Sequence, residues 1–202
     1  MYIVGNYFTA VVFCMITMLC WGSWGNTQKL ASKSWRYELF YWDYVIGMVI
    51  FALLLGLTMG STGDTGRPFL PDLSQAATAS IGWVVLGGVI FNASNILLSA
   101  SVSLAGMAVA FPLGVGIALV LGVIVNYIGT PSGNPLVLFL GVTLIVLAII
   151  CNGIASGRMQ HGEESRKNNR KGLLLAVIAG VLMSFFYRFV VMGMDVADFQ
   201  NP

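Results

Sequence analysis

Polar and aromatic residues interrupt otherwise apolar runs at five places, and these are the positions where binding chemistry could be done. The first is Trp21-Gly-Ser-Trp-Gly-Asn-Thr-Gln28, which brings indole rings, small residues and amides together. Trp21 and Trp24 are three apart and share a helix face. That spacing suits stacking on a flat or sugar-like solute, with Ser23 and Asn26 as hydrogen-bonding neighbours. The same string also reads as an interfacial aromatic belt before a helix end, or as a broken helix end lining a cavity. The second place is Glu38-Leu-Phe-Tyr-Trp-Asp43-Tyr, where Asp43 lies about one turn deeper than Glu38. Asp43 could pair with a base, cap a helix, or carry a coupling proton or cation. The third is Asn92-Ala-Ser94-Asn95. Asn92 and Asn95 project to one face, and Ser99 follows one turn later. Such groups hydrogen-bond either to neighbouring helices or to a polar solute.

The fourth place is Gly106-Met-Ala-Val-Ala-Phe-Pro112-Leu-Gly-Val-Gly116. Proline removes a backbone donor and crowds the preceding turn, so a kink is expected near Ala108–Pro112. Gly106, Gly114 and Gly116 permit close helix approach. The fifth is Tyr187-Arg188, well inside an apolar segment. An arginine there must snorkel to the interface, find a partner or face water. The lone histidine, His161, falls in a hydrophilic stretch. No metal-ligand cluster, phosphate loop or nucleophile–base pair is present in the sequence, so no enzyme, metal or cofactor is expected. Cys14, Cys20 and Cys151 all lie in apolar runs and read as small hydrophobes rather than a disulfide framework.

These residues sit on elements dictated by composition. Hydrophobic residues make up 57% of the chain and charged residues 9%, against about 25% charged in soluble domains. A net charge of +2 gives no reason to expect a nucleic-acid partner. A membrane-crossing helix needs roughly 20 mainly apolar residues. Six segments satisfy this: 7–26, 39–60, 81–100, 104–128, 136–155 and 172–194. Runs such as Val45–Leu57 and Leu136–Ile150 lack the period-two alternation of a barrel strand. The expected fold is therefore all-α, a polytopic transmembrane bundle of six spans. Met1–Asn6 has no basic leader, so the first apolar run reads as a retained span rather than a signal peptide.

Lys29, Lys33 and Arg36 fall between spans one and two, and Arg158, Arg166, Lys167, Arg170 and Lys171 between spans five and six. The opposite side has Arg67 alone, in the turn-rich loop Gly60–Pro71. The positive-inside bias puts 27–38 and 156–171 in the cytoplasm and the N-terminus outside, in a plasma or inner membrane. The Gln160–Arg170 stretch reads as a solvated connector, with contact to anionic lipid as the alternative.

Three stretches resemble the drug/metabolite transporter superfamily, within it most closely the ureide permease and glucose/rhamnose porter branch. They are Cys20-Trp-Gly-Ser-Trp-Gly-Asn-Thr-Gln-Lys29, Arg36-Tyr-Glu-Leu-Phe-Tyr-Trp-Asp-Tyr44, and the Asn95, Gly106, Phe111-Pro112, Gly116 pattern. The resemblance implies ten helices in two five-helix repeats of inverted topology. Residues 1–155 would form the first repeat, 156–171 the basic connecting loop, and 172–202 the sixth helix with its external end, opening a second repeat. It also implies that the chain is part of a longer protein or works with an oligomer partner, because a second repeat is needed to complete a site at the repeat interface.

The function expected from these features is secondary transport of a small polar solute, a ureide-like nitrogen compound or a sugar, by alternating access across the lipid bilayer. Its binding residues would be Trp21, Ser23, Trp24, Asn26, Asn92, Asn95, Tyr187 and Arg188. Asp43 would couple a proton or cation, and Pro112 would shape the fourth span. The rival expectations are a drug or metabolite exporter of the same architecture, and a non-transporting scaffold or half-size subunit.

Overall fold

Two helices begin where the sequence supplies a side-chain cap. The Asn6 side chain accepts the Phe8 N–H at 2.9 Å and opens α1 (Tyr7–Ala31). Asn134 accepts the Leu136 N–H at 3.0 Å and, with Pro135 in the first helical position, opens α6 (Pro135–Met159). The remaining helices are α2 (Tyr37–Leu57), α3 (Phe69–Gln75), α4 (Thr78–Ala105), α5 (Met107–Gly129) and α7 (Glu163–Gly193). This computed structural model describes residues 4–63, 66–129, 131, 133–159 and 163–194, with backbone alone for 156–159 and 163–169. Six of its helices are long and apolar enough to cross a membrane, one for each expected span.

The structure departs from the sequence reading in three places. First, α1 runs unbroken through Trp21–Gln28, so the expectation of a broken helix end does not hold. Ser23 and Thr27 turn their hydroxyls back onto the carbonyls of Cys20 and Ser23, and the helix ends only where Ser32 N–H bonds Gln28 O. Second, a short helix, α3, follows the turn-rich loop; Pro71 is tolerated because it lies in the first turn. Third, α6 and α7 both extend into the stretch read as a connector, which is rich in helix-forming Glu, Arg and Lys. His161 and the segment after Met194, expected to be external, lie outside the described residues.

The chain divides into two compact units between Ile81 and Gly82, in the opening turn of α4. In the first unit α1 and α2 form an antiparallel hairpin closed at residues 32–36, where Trp35 N–H bonds Ala31 O at 2.8 Å. The loop after α2 folds back, Phe69 N–H bonding Gly60 O at 3.0 Å. The Phe69 ring then covers Gly56, leaving a Cβ there only 3.3 Å from Cδ1.

The second unit, residues 82–193, is held by small residues. Gly106 (φ +79) takes the left-handed conformation that lets α4 turn directly into α5. Contacts along α4 and α7 step in opposite directions, from Trp83–Phe189 through Phe91–Phe186 to Ser94–Ala179 and Ser101–Gly172, so these helices are antiparallel. Along α5 and α7 they step together, Gly114–Ala176 and Gly122–Ser184, so these are parallel. Both relations fit four alternating crossings. Lipid offers apolar side chains no preference for protein over solvent, so close backbone packing must hold such helices together. The Ser94 and Ser101 hydroxyls donate to the Ala179 and Gly172 carbonyls, both at 2.7 Å. Such interhelical bonds average about 0.6 kcal/mol each in membranes. The large apolar side chains point outward instead, as Leu136, Leu140, Leu144 and Leu147 do on α6.

Candidate functional site

The α1–α2 hairpin gathers an aromatic and amide cluster. Trp24 meets Tyr44 with ring centroids 5.6 Å apart and planes at 62°, and Tyr41 lies 5.9 Å from Tyr44. Gln28, one turn beyond Trp24 on α1, is 3% exposed, and Gly25 and Tyr41 are also buried. Trp21, one turn back from Gly25 on α1, is more open, at 39% exposure. Ser23, Asn26 and Asp43 are all exposed. The candidate residues of this unit therefore split into a half-buried ring, Trp24, and an exposed set containing Trp21, Ser23, Asn26 and Asp43. Gln28, Tyr41 and Tyr44 were absent from the candidate set. The i, i+3 spacing of the two tyrosines, and of neither with an obvious partner on α1, was the available signal.

In the second unit the two asparagines of α4 have different surroundings. Asn92 is exposed and donates Nδ2–H to Gly88 O, one turn back in its own helix, at 3.0 Å. Asn95 is 2% exposed, and its Nδ2 has no acceptor among the described residues. Ser99, one turn on, is fully buried. Ser94 points to α7 instead and belongs to the packing of the bundle. Pro112 is half-buried inside α5, flanked by buried Ala110 and Gly114.

Arg188 acquires a physical account. Its guanidinium occupies the space that a Cβ on Gly129 would need, which puts the positive charge at the last residue of α5. Unsatisfied carbonyls make a helix C-terminus the negative end of the macrodipole, where a cation is stabilised without any carboxylate. Arg36–Glu38 at 3.1 Å and Arg67–Asp72 at 3.2 Å form ion pairs elsewhere among the described residues. Tyr187 is exposed and meets Phe186 edge-on at 6.4 Å. Arg188→Gln should lower thermal stability in detergent by about 0.3–2 kcal/mol, and Arg188→Lys by less. An unchanged unfolding midpoint in Arg188→Gln would remove the helix-end role.

Comparison with known proteins places this geometry in context. A family model described as Ureide permease matches residues 40–171. Ureide permease 1 of Arabidopsis thaliana is 25% identical over 169 residues, covering 83% of this chain and 43% of the relative. Ureide permease 2 of Arabidopsis thaliana is 26% identical over 173 residues, with the same 83% and 43% coverage. Probable ureide permease A3 of Vigna unguiculata is 28% identical over 145 residues, 68% of this chain and 38% of the relative. The chain thus spans less than half the length of these relatives. No solved structure matches. Six apolar helices and permease relatives make this an integral, multi-pass membrane protein whose relatives are transporters and not enzymes.

Proposed function

Because the chain belongs to the ureide permease family, we propose that the protein is a secondary transporter carrying a small polar solute of the ureide type across a membrane by alternating access. The observation that carries this reading is the family match over residues 40–171, which runs through α2, α4, α5 and α6, four of the six membrane-crossing helices. The relatives compared above are named for ureides, which favours a ureide over a sugar.

In this reading Trp21 and Trp24 offer ring faces to a planar solute, with Ser23 and Asn26 beside them. Asn92 and Asn95 supply amide hydrogen bonds from α4, and Tyr187 and Arg188 lie toward the far end of α7. Asp43, exposed on α2, is the candidate for coupling a proton or cation, and Pro112 shapes α5. The architecture proposed is two inverted five-helix repeats, with residues 1–155 as the first and 172–202 opening the second across the cytoplasmic segment 156–171. A positive-inside orientation, N-terminus outside, goes with it.

The test is uptake of a radiolabelled ureide into vesicles reconstituted with the protein purified from its native membrane, measured in both orientations. Saturable uptake that unlabelled ureide competes away, and glucose does not, is the expected result. Protein-containing vesicles that take up no more ureide than empty ones, in either orientation, would sink this function.

A further inference from the structure

Helix α4 presents two polar faces with different fates. One face, through Gly87, Phe91, Ser94 and Ser101, is closed against α7, and both serine hydroxyls on it are engaged with α7 carbonyls. The other begins at Asn95, about 100° round the helix from Ser94, and continues to Ser99. Both are buried, at 2% and 0% exposure.

Asn95 lies about a turn past the midpoint of α4, at the depth where lipid can offer no hydrogen-bond partner. Its amide nitrogen is enclosed by protein and yet meets no acceptor among the described residues. A buried donor without an acceptor is costly, and native structures keep few of them. An apolar side chain there would carry no such cost. Asn126 on α5 shows the ordinary solution, donating its Nδ2–H to Gly122 O at 2.8 Å in its own helix. Asn92 does likewise. Asn95 does not, and its donor is left without an acceptor among the described residues.

We propose that Asn95 is a specificity-determining residue whose Nδ2–H donates to a carbonyl oxygen of the transported solute, so that solutes presenting such an acceptor are selected. This rests on the transport reading above and assigns the discriminating contact to Asn95 rather than to Asn92. A site built to hydrogen-bond one substrate group discriminates strongly against analogues lacking it, because the buried protein group is then left unpaired.

The probe is radiolabelled hydantoin, a cyclic ureide with two ring carbonyls, taken up by vesicles reconstituted with the purified protein. Asn95→Leu should raise the KM for hydantoin about tenfold or more, the effect of one lost hydrogen bond, with its unfolding midpoint held. Asn95→Ser retains a donor and should stay closer to the parent protein. Asn126→Leu, on a different helix, should leave the KM unchanged. If Asn95→Leu does not fold, isosteric Asn95→Asp, which trades the donor for an acceptor, decides the question by the same rise in KM. A parental KM in a folded Asn95→Leu or Asn95→Asp variant overturns the proposal while leaving the transport function standing. So does a lowered unfolding midpoint with unchanged KM, which marks a purely structural amide. Parent protein that neither binds nor moves hydantoin overturns the proposal, and the transport reading falls with it only if the same vesicles take up no other ureide.

Discussion

Gly180→Leu should yield no folded protein. A Cβ at this position would lie 2.5 Å from the Gly114 carbonyl oxygen and 2.9 Å from Ile117 Cβ. The nearer obstacle is backbone, so α5 and α7 would have to separate rather than one side chain rotate. Even Gly180→Ala is expected to cost about 1–3 kcal/mol, the usual range for overpacking a close contact. Gly172 is held in the same way, with Ala105 Cβ at 2.5 Å and Ala105 N at 2.9 Å. Gly141 and Gly153 on α6 supply the controls, because a Cβ at either meets nothing within 4 Å. Alanine at those two sites should leave stability unchanged or raise it by up to about 1 kcal/mol, since alanine is the better helix former. The measurement is thermal unfolding in detergent followed by tryptophan fluorescence, with gel filtration to score folded yield. A Gly180→Leu variant that elutes and melts like the parent would show that α5 and α7 do not pack at this register.

Alanine replacements of the two tryptophans on α1 should separate binding from stability. Trp21 is 39% exposed, whereas Trp24 is half-buried against Tyr44. Stacking of a planar ring on an aromatic side chain contributes about 1–3 kcal/mol where it has been measured for nucleobases. Trp21→Ala is therefore expected to raise the KM for a ureide by roughly tenfold or more, each 1.4 kcal/mol being a factor of ten. Its unfolding midpoint should fall less than that of Trp24→Ala, because Trp21 is the more exposed of the two rings. Trp24→Ala should lower both uptake and stability, because the Tyr44 contact goes with it. The reading of Trp21 as a solute-facing ring would fail if its alanine variant transported with an unaltered KM.

How far the residues themselves foretold this can be followed position by position. The aromatic and amide string on α1 was identifiable as a place of interest, and Trp24 does take part in a cluster with Tyr44 and Tyr41. The continuity of that helix was not legible. The same small and polar residues that can break a helix can also satisfy its carbonyls locally, as Ser23 and Thr27 do. Gln28 was visible only as the end of the motif, yet it is among the most buried side chains of its unit. Arg188 was conspicuous without a partner. Its neutraliser is the end of another helix, which no pattern of charged residues can reveal.

The number and type of the membrane-crossing elements were determined by the sequence alone. In lipid every backbone polar group must be satisfied internally, so a run of about 20 apolar residues has the helix as its one open solution. Family membership was likewise carried by local motifs that survive without coordinates. Which helices touch, and at which rotation, was decided only by the tertiary structure. Apolar side chains gain nothing by leaving lipid for protein, so hydrophobic pattern cannot choose partners. The choice falls to steric fit at single positions such as Gly114 against Gly180, and to directional bonds such as Ser94 to Ala179. Asn92 and Asn95 show the consequence. Three residues apart, they differ by only about 60° of helix rotation, and that difference leaves one exposed and bonded to its own helix and the other buried with its donor open.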